Sequence, residues 1–197
     1  MKYPKLRELK EAIKAIIKGP YTTEFPFKPH KPFERFRGKP EFHEENCIGC
    51  GACHEVCPAK AIEMSDVGNK RILAVHWDLC IFCDNCQVNC LTEKGIMLSD
   101  KFDVSTTEKK EELKQEISKE LVLCEGCGKI IAPYDQIIWV AEKLGPLVFS
   151  NASLMHVYLN EKKILEKKEV LKKEEFLRSD RIRILCPVCR REVVLKS

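Results

Sequence analysis

Eight of the twelve cysteines fall into two matching runs: Cys47, Cys50, Cys53 and Cys57, the last followed by Pro58, and Cys80, Cys83, Cys86 and Cys90. Each run reads C-x2-C-x2-C-x3-C, and the second repeats the first at an offset of 33 residues. Thiolates at this spacing suit a cubane iron–sulfur cluster. Three ligands come from one tight loop, and the fourth approaches from further off. In chains that carry two such runs, the fourth cysteine ligates the other cluster. The doubled pattern therefore predicts two ligand sets that cross: Cys47, Cys50, Cys53 and Cys90 for the first cluster, and Cys80, Cys83, Cys86 and Cys57 for the second. The chemistry is electron transfer, with no general acid, base or nucleophile required.

Two other uses of these cysteines fit less well. A disulfide framework suits small secreted domains, but no secretory leader is read at the start of this sequence, and random spacing does not write one four-cysteine pattern twice. The segment Cys50 to His54 also spells C-x-x-C-H, the c-type haem attachment pattern. Haem attachment would strand Cys47 and Cys57 and leave the second run unexplained.

The remaining four cysteines form two further hooks, Cys124 with Cys127 and Cys186 with Cys189, separated by 58 residues. Two C-x2-C hooks on tight turns between short strands predict a closed S4 site. A structural zinc is the default occupant and iron in a rubredoxin-like site the alternative. Gly126 and Gly128 in the first hook, and Pro187 in the second, suit turns that aim backbone N–H groups at sulfur. No ligand position is left for water, so a catalytic zinc is not expected.

Certain elements must position these residues. Leu6, Leu9, Ile13, Ile16 and Ile17 recur at three- and four-residue steps and predict an amphipathic helix over the first 18 residues, stopped by Gly19-Pro20. Such a helix suits a partner or an anionic membrane surface. Residues 20–40 hold five of the ten prolines, interleaved with Phe25, Phe27, Phe33 and Phe36. This predicts an extended arm that packs on something, because disordered linkers are poor in aromatics. The cluster domain is placed at 41–105. It has strands over 61–64 and 71–75 joined by a turn at Gly68-Asn69, a strand over 95–99, and short helices after each cluster loop. Ile48, Ile81, Phe82, Ile62 and Ile96 are expected to exclude water from the clusters. Leu113, Ile117 and Leu121, four residues apart, predict a helical linker over 106–120. In the C-terminal module, 121–197, helices are expected at 134–144 and around 153–164.

The fold class that follows is α+β: a pseudo-twofold two-cluster ferredoxin domain with an N-terminal helix and arm, plus a small zinc-ribbon or rubredoxin-like module with inserted helices. A hydrophobic content of 44% permits a core, and 32% charged residues implies a charge-dense surface. The formal net charge of +4 does not force nucleic acid as a partner. The lysine- and arginine-rich stretch after 160 alternates with Glu161, Glu166, Glu169, Glu174 and Glu175, the pattern of a solvated helix. No apolar run is long enough to span a membrane.

The order of amphipathic helix, arm ending Phe36-Arg37-Gly38-Lys39-Pro40, and paired runs opening at Cys47 and Cys80 resembles the two-[4Fe-4S] subunit shared by respiratory complex I and membrane-bound energy-converting [NiFe] hydrogenases. The extra C-terminal hooks are similar to those of the iron–sulfur subunit 6 of formate hydrogenlyase. The resemblance implies a peripheral subunit on the cytoplasmic face of the membrane. It would relay electrons singly between an iron–sulfur electron-input protein and the hydrogenase small and large subunits. The 36–40 stretch would contact a partner, and the N-terminal helix would lie near membrane-arm subunits. No small-molecule substrate, nucleic acid or catalytic residue is implied. A complex I-type assembly, a free ferredoxin with an appended zinc domain and a non-redox zinc-ribbon module are the alternatives. One departure is visible: Leu91 follows Cys90 where the pattern usually has proline.

Overall fold

The computed structural model describes residues 5–19, 22–107, 110–164 and 182–196. The chain divides between Phe36 and Arg37 into two compact units. In the first, α1 spans Leu6–Lys18, with the Lys5 N–H donating to the Glu8 carboxylate at 3.1 Å and Gly19 in a positive-φ conformation at its end. None of its residues is buried. Leu6 is 86% exposed and Ile13 50%. The arm that follows keeps Phe27 and Phe33 exposed, while the rings of Phe33 and Phe36 meet edge to face at 5.9 Å.

The second unit contains all twelve cysteines. Its cluster-bearing part is built from β1 (Pro40–Phe42), α2 (Ala52–Glu55), β2 (Ile62–Val67), β3 (Lys70–His76), α3 (Asn85–Val88) and β4 (Ile96–Leu98). β2 and β3 form the hairpin expected around Gly68-Asn69, with Ile62 opposite Val75. β1 and β4 pair antiparallel, with Phe42 opposite Ile96. The pairing is extended by the Gly38 N–H donating to the Ser99 carbonyl. A Cβ at Gly38 would collide with the carbonyl oxygens of Ser99 and Lys101, so only glycine lets the backbones approach this closely.

The stretch after 113 corrects the sequence reading. A 3-10 turn at Lys110–Leu113 leads into a ten-residue strand, β5 (Lys114–Leu123), where a helical linker was expected. Residues four apart share a face of a helix, but an offset of four is also even, so they share a face of a strand as well. Ile117 and Leu121 are both buried on β5. The antiparallel edge of β3 decides between the periods, with Leu73 opposite Ile117 and Val75 opposite Gln115. Gln115 also grips β1, its side-chain amide donating to the Phe42 carbonyl at 3.1 Å and accepting from the Phe42 N–H at 2.7 Å.

β5 then pairs with β6 (Ile130–Pro133), giving a four-stranded sheet in the order β2-β3-β5-β6. Thus one strand runs from the cluster-bearing part into the C-terminal hooks. α4 (Tyr134–Leu144) and α5 (Ala152–Glu161) occupy the positions expected for the inserted helices, and α6 spans Pro187–Lys196. Most of the charged run after 160, from 165 to 181, lies outside the described residues.

Phe42, Ile62, Leu73, Val75, Ile96 and Ile117 pack with Cys53 and Cys86 into one core. Leu73 is 1% exposed at its centre. Its replacement by alanine is expected to cost about 2–5 kcal/mol, read as a lower urea midpoint of the cluster-loaded protein under anaerobic conditions. Val122, Ile137 and Val157 form a second core beneath α4 and α5.

Candidate metal centres

Two cysteine-lined cavities flank the central core. One is lined by Cys47, Cys50, Cys53 and Cys90 together with Ile48, Leu73 and Ile96. The other is lined by Cys57, Cys80, Cys83 and Cys86 with Ile62, Ile81 and Phe82. The fourth cysteine of each run therefore leaves its own loop and faces the cavity of the other. The short helices do this. α2 presents Cys53 to one cavity and delivers the chain to Cys57, and α3 does the same for Cys86 and Cys90.

The loops repeat in backbone as well as in spacing. Gly49 and Gly51 have φ of 70° and 77°, and Phe82 and Asp84, at the same positions of the second run, have φ of 53° and 75°. Glycine adopts this left-handed conformation freely, aspartate tolerates it and phenylalanine is strained in it. Retention of the turn with Phe82 in it marks it as the geometry that brings the cysteines inward.

Burial pushes the Cys53 and Cys86 thiols up to about 12. Burial also raises Cys47, against opposing contributions from the Gly49 backbone and Lys119. Thiols this reluctant to ionise alone suit a site in which metal charge supports the thiolate. At Cys90 burial again acts upward, but the Thr92 hydroxyl and the backbone of Thr92, Ile96 and Gly95 outweigh it and lower the thiol. Cys90 Sγ and Thr92 Oγ1 are 3.4 Å apart. The Ala61 N–H donates to Cys57 Sγ at 3.3 Å and the Phe82 N–H to Cys80 Sγ at 3.4 Å. Apolar walls, four converging sulfurs and N–H donors are what a cubane cluster requires of a protein.

At the third centre, the sulfurs of Cys124, Cys127, Cys186 and Cys189 all lie within 4.8 Å of one another. Cys127 Sγ and Cys186 Sγ are 3.7 Å apart, close to the edge of about 3.8 Å that follows from M–S bonds of about 2.3 Å in a tetrahedron. The first hook is the β5–β6 turn, as expected, with Gly128 at φ 73° and its N–H donating to the Cys124 carbonyl. The second corrects the sequence reading: it opens a helix, α6, instead of joining two strands. Pro187 at the first helical position explains this, because its missing N–H and fixed φ favour a helix start. Burial acts upward on Cys124, but the backbone of Cys186, Cys127 and Gly126 outweighs it and lowers the thiol to about 6. The Cys186 N–H donates to Cys124 Sγ at 3.2 Å, so the two hooks are tied sulfur to backbone.

Of the residues expected to keep water out, Ile48, Ile62 and Ile96 are buried, but Ile81 is 62% exposed although it borders its cavity. The first loop has β5 and β6 against it, Lys119 and Pro133 lying beside Gly49. His54 belongs to neither cavity lining, and its Nδ1–H donates to the Ile62 carbonyl at 2.7 Å. Sequence spacing did not single out Arg71, Lys119, Asp84 or Thr92, which surround the cysteines. Nor did it single out Ser153, whose hydroxyl accepts from the Leu185 N–H at 2.9 Å and from Arg190 at 2.8 Å and so anchors the second hook. Only the glycine-for-aspartate mismatch between positions 51 and 84 carried a signal.

Residues 46–94 match the 4Fe-4S dicluster domain, which makes this part of the chain a domain for iron–sulfur clusters. Its relatives include NAD(P)H-quinone oxidoreductase subunit I of Gloeobacter violaceus, 30% identical over 99 residues, 47% of each chain. NADH-quinone oxidoreductase subunit I of Carboxydothermus hydrogenoformans is 39% identical over 74 residues, 36% of this chain and 53% of the relative. Formate hydrogenlyase subunit 6 of Escherichia coli is 45% identical over 51 residues, 25% of this chain and 28% of the relative. The chain thus spans about half or less of the length of these curated relatives. Among solved structures, a chain of the membrane-bound sulfane sulfur reductase, an archaeal respiratory membrane complex, aligns at a TM-score of 0.41 and 30% identity, covering 57% of this chain and 62% of that one. No helix among the described residues is long and apolar enough to cross a membrane.

Proposed function

We propose that this protein is a peripheral electron-transfer subunit of a membrane-bound, formate hydrogenlyase-like complex. In this role it links an iron–sulfur electron-input protein to the hydrogenase small and large subunits on the cytoplasmic face. The observation that carries the proposal is the pair of cavities, each lined by three cysteines of one run and the fourth of the other. Cys47, Cys50, Cys53 and Cys90 would hold one [4Fe-4S] cluster, and Cys80, Cys83, Cys86 and Cys57 the second. A bound cluster accepts and releases one electron at a time. The chain's own contribution is to converge the thiolates, to donate N–H groups to sulfur, and to keep water away with Ile48, Ile62, Leu73 and Ile96.

Cys124, Cys127, Cys186 and Cys189 would bind a structural zinc, with a closed ligand set and no solvent position. Iron in the same S4 geometry is the alternative. The exposed apolar stripe of α1 and the aromatic arm supply docking surfaces for membrane-arm and partner subunits. A complex I-type assembly is the second reading. It is favoured by the longer stretches matched in the quinone oxidoreductase relatives, 99 and 74 residues against 51.

Affinity purification from the native source, with metal analysis of the whole assembly, separates these readings. Co-purifying nickel with about eight cluster irons per copy of this chain is the expected result. A nickel-free assembly carrying a flavin- or quinone-linked partner would replace it with the complex I-type reading. Recovery of the chain alone, away from membranes, would leave a free carrier.

A further inference from the structure

The two cavities share one backbone but not one electrostatic environment. Behind the first loop stand two cations. The Arg71 guanidinium reaches the Gly49 carbonyl at 3.3 Å, and the Lys119 ammonium reaches the Glu44 carbonyl at 2.6 Å. Lys119 is held there with its side chain only 11% exposed. Both have carboxylate partners, Asp66 and Asp135. Even so, both cations stand against the loop that carries Cys47 and Cys50, Arg71 on the Gly49 carbonyl and the Lys119 stem beside Gly49. The Thr92 hydroxyl adds a polar contact to Cys90.

The second cavity differs. Asp84 lines it, whereas among the described residues no charged side chain lines the first, whose two cations stand behind the loop. Asp84 stands where the first loop has Gly51, in the same left-handed conformation, φ 75° against 77°. Its Oδ1 is buried with no hydrogen-bond partner among the described residues. A buried carboxylate oxygen without a hydrogen-bond partner carries a desolvation cost, and Asp84, at the N-cap position of α3, makes no side-chain capping bond in return.

Adding an electron to a cluster adds negative charge. A nearby cation favours that change and a nearby carboxylate opposes it. At an effective dielectric of about 20, such charges act several times more strongly than in water. Hydrogen bonds donated to sulfur push in the same direction as the cations. Both sites have polar contacts to sulfur, Thr92 at Cys90 and the Ala61 and Phe82 N–H groups at Cys57 and Cys80, so the grading rests on the charges.

We propose that these side chains grade the two sites. The cluster held by Cys57, Cys80, Cys83 and Cys86 has the lower reduction potential, set by Asp84. The cluster held by Cys47, Cys50, Cys53 and Cys90 has the higher potential, set by Lys119 and Arg71, and a single electron delivered to the chain rests there. This grading depends on the ligand sets proposed above.

The test is an anaerobic redox titration of the full, cluster-loaded chain followed by EPR. Two separate one-electron waves are expected. Asp84→Gly should move the lower wave to higher potential and leave the upper in place. Glycine is at ease at this φ, so the variant should fold and keep its iron. Lys119→Gln should move only the upper wave, downward. One unsplit wave in the parent protein overturns the grading, as does an Asp84→Gly protein at full iron content whose lower wave stays or falls. Cys57→Ser reports on the ligand sets separately. It should eliminate the same wave that Asp84→Gly moves, whichever its potential, and elimination of the other wave overturns those sets.

Discussion

Serine in place of Cys57 is expected to remove about half of the cluster iron, and the iron lost is that of the cluster held by the other run. Cys57 lies four residues after Cys53 in sequence, yet it lines the cavity of Cys80, Cys83 and Cys86. Its sulfur accepts from the Ala61 N–H at 3.3 Å, where the chain turns into β2. Cys53, one turn earlier on α2, faces the opposite cavity. A serine oxygen is a harder and less readily ionised ligand than thiolate, and a cubane corner held that way is labile. Cys90→Ser is the mirror experiment and should deplete the cluster of Cys47, Cys50 and Cys53. Iron per chain together with the EPR signature of the reduced protein reads both variants. Loss of the Cys47-side cluster from the Cys57 variant, with the other intact, would sink the crossed assignment. Loss of both clusters from either variant would show that the halves do not hold iron independently.

What the sequence made legible was the chemistry carried by spacing. Cysteine intervals dictate loop geometry directly, because three thiolates with two residues between each converge only from a tight turn. That constraint does not depend on the rest of the fold. The inserted helices were legible for a similar local reason, with Pro133 before α4 and Gly145 after it. β5 was not, because Ile117 and Leu121 at an even offset satisfy both periods and only the distant edge of β3 distinguishes them. Residues that tune a metal site from a neighbouring strand are invisible for the same reason. Lys119 reaches the Glu44 carbonyl across 75 residues of sequence. Ile81 illustrates a further limit: loop position told that it borders a cavity, but not that it stays 62% exposed.

Replacing Cys186 with serine is expected to empty the third centre and release the segment around it, while leaving the cluster-bearing sheet intact. Metal-binding free energies of structural sulfur sites reach about 10–16 kcal/mol in zinc-finger peptides, and there the binding energy is the folding energy. The second hook is not part of a strand ladder. Leu185, Cys186 and Cys189 pack with Cys124, and the segment is tied by the Cys186 N–H to Cys124 Sγ, by hydrogen bonds between Glu125 and Ile184, by Ser153 to Leu185 and Arg190, and by Asn151 to Arg190. The first hook is better secured, because β5 continues into the ladder with β3 from Lys114 to Glu120. The pairing of β5 with β6 shifts register between Val122 and Leu123, which marks the place where loosening should stop. Hydrogen exchange should therefore rise at 124–129 and 184–190 and stay low across 114–121. Metal analysis should show one ion lost per chain. The two clusters should remain, since none of their ligands lies beyond Cys90. Unchanged exchange at 184–190 after the ion is gone would mean that the hooks are held by packing, and that the metal there serves a purpose other than folding.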